Sequence, residues 1–174
     1  MKIQLKNIKY SEWGSEETAC YQANIYLNGK HVGYCSNDGK GGSTSYNRIP
    51  NVDYKVIQAM EEYCKTLPPI VYDSGIHKGK QFSIDMTLEH YIDNLLMDYL
   101  KAKDEAKMNK KMDKAILIGN SFSYQIISFK VPLREVWEKH PQYFATTLKD
   151  SLNKYATNGR KLLNTNIPLQ FITN

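Results

Sequence analysis

The residues of this chain best suited to chemistry are few, and the most suggestive run is Gly39-Lys40-Gly41-Gly42-Ser43-Thr44. A phosphate-binding loop needs four residues between its first glycine and a Gly-Lys pair. It also needs a helix opening at once, so that backbone N–H groups converge on the phosphate. Here Lys40 precedes the glycine pair, and the next helical pattern starts only after Pro50. The dinucleotide pattern breaks as well, because position 44 is threonine. Residues 39–44 therefore support small-molecule or nucleotide binding only as an alternative reading, in which flexible backbone and Lys40 approach a phosphate or a partner's backbone.

Cys20, Cys35 and Cys64 are odd in number and show no Cys-x-x-Cys spacing, and the histidines show no His-x-x-x-His spacing. Reduced structural thiols are expected, with no metal and no disulfide scaffold. His31 and Cys35 lie four apart on one predicted strand, roughly 13 Å at strand rise, too far for a nucleophile and its base. Glu16-Glu17 and Glu61-Glu62 are sequence neighbours that diverge by about 100° on a helix, which suits solvated faces rather than paired acid–base work. No Ser/His/Asp arrangement stands out. The chain reads as a non-enzyme without a cofactor.

Binding chemistry is better represented. Lys103, Lys107 and Lys111 recur at helical spacing with Lys110 and Lys114 beside them, a positive ridge on a helix end. Residues 1–100 hold 10 Lys/Arg against 12 Asp/Glu, whereas residues 101–174 hold 13 against 6. A basic second half suits an anionic partner, although Arg134 and Arg160 are its only arginines, so it equally fits solubility charge. Thirteen tyrosines against five phenylalanines and two tryptophans is tyrosine-heavy. Tyrosine gives wide amphipathic contact with few rotors, and it stacks on bases. Tyr10, Tyr26, Tyr46 and Tyr124 are candidates for an exposed surface; Tyr63, Tyr91, Tyr99 and Tyr155 fall on helical stripes. Tyr26, His31, Asp38, Lys40 and the five lysines 103, 107, 110, 111 and 114 form the expected partner-binding set.

These residues need elements to hold them. The clearest signal is Cys20–Leu27 and Lys30–Asn37 flanking Asn28-Gly29, the dipeptide of a two-residue type I′ hairpin. One-for-one pairing outward from Leu27 and Lys30 sets Tyr21, Ala23, Ile25, Leu27, Val32 and Tyr34 on a core face. Gln22, Asn24, Tyr26, His31, Gly33 and Cys35 then share the polar face. Residues 3–10 read as a first strand or bulged pair. A helix is predicted from Pro50-Asn51 on the stripe Val52, Val56, Met60, Tyr63, Leu67, closed by Pro68-Pro69. A short strand at Ile70–Tyr72 and a loop over 73–80 follow. Asp85 or Thr87 then caps a long helix that continues to about Lys114.

A second hairpin is predicted from Ala115–Ile118, a turn at Gly119-Asn120-Ser121 and Phe122–Val131. Helices follow from Pro132 and from Pro141, the latter carrying Phe144, Leu148, Leu152 and Tyr155. The tail Lys161–Ile172 reads as a short strand and extended chain. Strands grouped before helices, without regular alternation, predict an α+β fold. The expectation is a single domain over 1–174: an antiparallel sheet of two hairpins, three or four helices on one face, the other face free. At 174 residues with 41% apolar and 24% charged composition the chain is ordinary globular, with no apolar run long enough for a bilayer and no leader-like N-terminus.

Ser15-Glu16-Glu17-Thr18, the hairpin, and Ser36-Asn37-Asp38-Gly39-Lys40-Gly41-Gly42 together resemble the N-terminal part of small proteins encoded by bacteriophages and prophages. The Ala115–Val131 region and Leu162-Leu163-Asn164-Thr165 are more loosely similar. The resemblance carries no catalytic residues. It implies a phage protein in the bacterial cytoplasm and a non-enzymatic inhibitor of host defence. The form it points to is an anti-CRISPR-like protein that binds an RNA-guided nuclease or its guide RNA. A general RNA- or DNA-binding accessory protein is a further alternative.

Overall fold

The computed structural model describes residues 1–73, 81–120 and 123–172. Residues 1–174, read from sequence as one domain, divide into two compact units, Met1–Leu100 and Lys101–Asn174. The fold is α+β.

In the first unit, β1 (Ile3–Ser11), β2 (Cys20–Leu27), β3 (Lys30–Asn37) and β4 (Ser45–Arg48) form an antiparallel sheet in the order β1-β2-β3-β4. Asn28 and Gly29 both take positive φ, 48° and 84°, as the type I′ turn requires. Leu27 pairs with Lys30 and Tyr26 with His31, as expected. The next pair is Ile25 with Gly33, so Val32 is an extra residue, and beyond this β-bulge Ala23 opposes Cys35 and Asn24 opposes Tyr34. One inserted residue reverses the faces of everything after it. Cys35 therefore enters the core at 1% exposure, and Tyr34, expected in the core, faces solvent at 49%. Cys20 and Cys35 consequently do not share a face. Strand β1 bulges too, between Lys6 and Lys9, where Asn7 adopts φ 54°.

Strand β4 was not legible in Ser45-Tyr46-Asn47-Arg48, a polar run without clear alternation. Gly33 makes it possible: a Cβ there would press into the Asn47 carbonyl of the adjoining strand. The first core joins Ile3, Tyr21, Ala23, Ile25, Val32 and Cys35 of the sheet to Ile57, Met60 and Cys64 of α1 (Tyr54–Lys65), with Leu88, Ile92 and Leu96 of α2 (Leu88–Met112). Helix α1 begins later than Pro50-Asn51 predicts, because Asp53 is the cap: its Oδ1 accepts from the Lys55 N–H at 2.9 Å. Thr87, one of the two expected residues, caps α2 by accepting from the His90 N–H at 3.2 Å. Strands β5 (Ile70–Asp73) and β6 (Gln81–Ile84) make a separate two-stranded sheet. The expected loop between them falls at residues 74–80, outside the described residues.

The second unit has its own sheet, ordered β8-β7-β9, from β7 (Ala115–Gly119), β8 (Tyr124–Ser128) and β9 (Lys161–Leu162). The two predicted hairpins thus belong to different sheets, since both β1 and β4 end the first one and β9 takes the free edge of β7. Ser121 and Phe122, expected in the second hairpin, lie outside the described residues. Every residue of β7 is buried. Ile116 and Ile118 pack with Leu133 and Val136 of α3 (Leu133–Lys139) and with Phe144 and Leu148 of α4 (Pro141–Tyr155). Ala115 and Leu117 pack with Met112 on the other side. The tail is not extended throughout: Leu169–Phe171 is a 3-10 turn. Among the described residues no helix is long and apolar enough to cross a membrane.

Candidate functional site

The Gly39–Thr44 stretch is part of a clasp. The Gly39 carbonyl accepts from the N–H groups of Glu16, Glu17 and Thr18 at 2.9–3.2 Å. Asn37 Oδ1 accepts from the Thr18 hydroxyl and the Gly39 N–H, both at 2.8 Å, and Asn37 Nδ2 donates to the Gly42 carbonyl at 2.8 Å. Lys40 N–H donates to Asp38 Oδ1 at 3.2 Å and Gly41 N–H to Thr18 Oγ1 at 3.3 Å. The three N–H groups a phosphate would use, those of Gly39, Lys40 and Gly41, already have acceptors within the clasp. Gly39 sits at φ 88°, and a Cβ there would strike the Gly14 carbonyl. The motifs behind the phage-type resemblance, 15–18 and 36–42, are thus the two halves of this clasp.

The clasp's far end is anchored by a buried polar chain. Tyr21 OH donates to Thr44 Oγ1 at 3.2 Å, and Thr44 Oγ1 donates to Asp93 Oδ1 at 2.6 Å; the Thr44 N–H donates to Glu89 Oε1 at 3.0 Å. Burial raises the Tyr21 hydroxyl far above its ordinary value, and it raises the Cys35 thiol beside it to about 11. Cys35 is therefore a neutral core thiol, and His31 faces away from it. Among the described residues no group of three or more His, Cys, Asp or Glu side chains is placed to hold a metal ion.

Among the described residues of its own unit, the helices pack on one face of the β1–β4 sheet, and none forms a layer on the other. Across the strands its rows run Gln4, Tyr26, His31; then Lys6, Asn24, Tyr34, Asn47; then Lys9, Gln22, Ser36, Ser45. Lys6, Lys9, Gln22, Tyr34 and Asn47 are exposed. The Lys6 ammonium lies 4.4 Å from the centre of the Tyr26 ring, and the same ring stacks on His31 at 5.2 Å and 22°. His31 Nε2 donates to the Gly33 carbonyl at 3.0 Å, which fixes the ring over the bulge. A groove of about 600 Å³ runs along Asn7, Lys9, Gln22, Asn24, Tyr34 and Ser36. It meets a second, of about 460 Å³, that shares Lys9, Gln22 and Ser36 and ends at Asn37 and Asp38.

Of the expected binding residues, Tyr26 and His31 are brought together on this face, and Asp38 stands at the end of its groove. Lys40 is an exposed side chain on the clasp. The lysine ridge belongs to the second unit. All five of its side chains are exposed, but Lys107 pairs with Asp104 at 3.0 Å and Lys111 donates to the Tyr124 hydroxyl at 2.7 Å. Tyr124 is thus covered by a lysine, while Tyr10 and Tyr46 pack toward the first core, so these three do not form the exposed surface expected of them. Tyr99, by contrast, leaves the helical stripe and is 40% exposed. The sequence reading missed Lys6, Lys9 and Tyr34. The lysines were detectable in a strand that alternates, whereas Tyr34 was hidden by the bulge. Searched against protein-family models, curated proteins and solved structures, the chain matches none.

Proposed function

We propose that this chain is a non-enzymatic binding protein whose contact surface is the open face of the β1–β4 sheet. The observation that carries the reading is that a four-stranded sheet buries one side in the first core while the other displays an exposed tyrosine, two exposed lysines and several amides. Such a face offers aromatic contact area together with hydrogen-bonding groups. The phage-type resemblance supplies the partner: an RNA-guided nuclease of host defence, or its guide RNA, which the protein would block by occupying. The alternative of a ligand held by the glycine loop has less support, since the N–H groups of Gly39, Lys40 and Gly41 already donate within the clasp.

The test is affinity capture from a bacterial host with and without ribonuclease treatment, followed by a cleavage assay with the captured nuclease. The wild-type chain is expected to retain the nuclease and reduce cleavage, and the Lys6→Glu/Tyr34→Ala variant to do neither. Retention and inhibition by that variant at wild-type strength would move the contact surface elsewhere. A capture that returns no specific protein or RNA would end the reading.

A further inference from the structure

Strands β1–β4 carry Lys6, Lys9, Lys30 and Arg48 and not one aspartate or glutamate. Yet Met1–Leu100 as a whole has two more carboxylates than cations. The acids of this unit are kept off these strands. Of the four cations, Lys6 and Lys9 stand on the open face, whereas Lys30 and Arg48 fall in the core-side rows of Leu27 and Gly33. The open face thus carries two lysines and no carboxylate from its strands. Charge complementarity therefore selects an anion, and the aromatic rows select the kind of anion.

Tyr26 and Tyr34 stand on adjacent strands in successive rows of the same face, roughly 7 Å apart along the strand direction. An extended single strand places its bases on such platforms, while a duplex hides them. Lys6 and Lys9 flank these rings from β1, where a phosphate backbone running along that edge strand would pass. Asn24 lies between Lys6 and Tyr34, Gln22 stands beside Lys9, and Asn47 flanks Tyr34 on its far side. Amides both donate and accept, so they serve base edges and the ribose 2′-hydroxyl, which only RNA carries.

We infer that the open face of the β1–β4 sheet is a single-stranded RNA site, with bases stacked on Tyr34 and Tyr26 and phosphates held by Lys6 and Lys9. This rests on the proposed use of that face and narrows its partner to the nucleic acid. The existing Lys6–Tyr26–His31 stack is the resting form of the site. A base would replace the Lys6 ammonium over the Tyr26 ring, and the freed lysine would pair with the adjoining phosphate.

The experiment is fluorescence anisotropy of the full chain with a labelled unstructured RNA of mixed sequence, its DNA counterpart, and the RNA made duplex. Titrations run at about 50 and 200 mM salt, the range over which phosphate contacts are read. Single-stranded RNA is expected to bind more tightly than DNA and far more tightly than duplex. Tyr34→Ala should weaken binding by about 5- to 100-fold, and Tyr34→Phe should retain it. Lys6→Gln/Lys9→Gln should flatten the dependence of log K on log salt by about 1.4. The Tyr34 ring is half exposed, so its variants are expected to fold, and an unchanged melting curve verifies that.

No RNA binding at about 50 mM salt, the condition that most favours phosphate contacts, would overturn the inference. So would equal affinity for DNA, or a folded Tyr34→Ala that binds as well as wild type. If RNA fails to bind while Lys6→Glu/Tyr34→Ala still loses the nuclease, this inference falls and the proposed function stands. If neither ligand responds to the face, both fall.

Discussion

Gly39 shows how much a single residue can decide here. Its left-handed backbone lets its carbonyl receive three N–H groups from Glu16, Glu17 and Thr18 while its α-carbon passes the Gly14 carbonyl. A Gly39→Ala change meets both obstacles. The backbone conformation alone costs about 1–3 kcal/mol, and the contact with Gly14 adds to it. Thermal unfolding should reveal a drop of at least that size, whereas Gly42→Ala, whose Cβ would meet open space, should be close to neutral. Asn164 has a similar role in the second unit. It is buried, its Oδ1 accepts from the Leu117 N–H at 2.7 Å, and its Nδ2 donates to the Ala115 carbonyl at 3.0 Å. Asn164→Leu leaves a buried N–H without its acceptor and should cost about 2–3 kcal/mol. Hydrogen exchange at the Leu117 amide is the direct readout, and unchanged protection there would show that the side chain is dispensable.

At the scale of elements, the hairpin is the instructive case. Its turn was legible because Asn28-Gly29 admits few alternatives, and its first two pairs followed. The Val32 bulge was not legible, because nothing in His31-Val32-Gly33-Tyr34 distinguishes an inserted residue from regular alternation; the neighbouring β4 backbone and the core below decide it together. Every consequence for the candidate site came through that bulge, from the burial of Cys35 to the exposure of Tyr34. Helix α1 was legible from its apolar stripe, and its start was displaced only by the competition between Pro50 and Asp53 as initiators. Asp53→Ala should lower stability by about 1 kcal/mol through loss of the cap, seen as a shifted urea midpoint with unchanged slope. A change in slope would instead mean that the helix docks differently.

Over the whole molecule the titrating groups of the first core set an alkaline limit. Burial raises Cys35 and Cys64 from 9.0 to about 11. Burial and the hydrogen bond to the Glu61 carboxylate raise Tyr46 to about 12. In each case the folded state holds its proton more tightly than the unfolded chain. Their contribution is fully present below the unfolded value and is lost as pH rises through the folded one. Stability should therefore be flat from neutral pH to about 9 and fall between about 9 and 12, with each thiol accounting for on the order of 2 kcal/mol. Urea unfolding across that range measures it, and Cys64→Ala should make the fall shallower. A stability that rises with alkalinity would contradict the burial of these thiols.

The sequence by itself determined the α+β class, the turn at Asn28-Gly29, the helical stripes and the scarcity of catalytic spacing, because each is set by local pattern and residue type. Only the tertiary structure decided which side of the first sheet stays open and what stands on it. Side-chain direction in a strand depends on register, and one extra residue at Val32, fixed by packing across three strands, moves a tyrosine from the core to the surface. It also decided that Gly39–Thr44 is a clasp: beside the local partners Asn37 and Asp38, the groups that hold it come from residues 16–18 and from Glu89 and Asp93, distant in the chain.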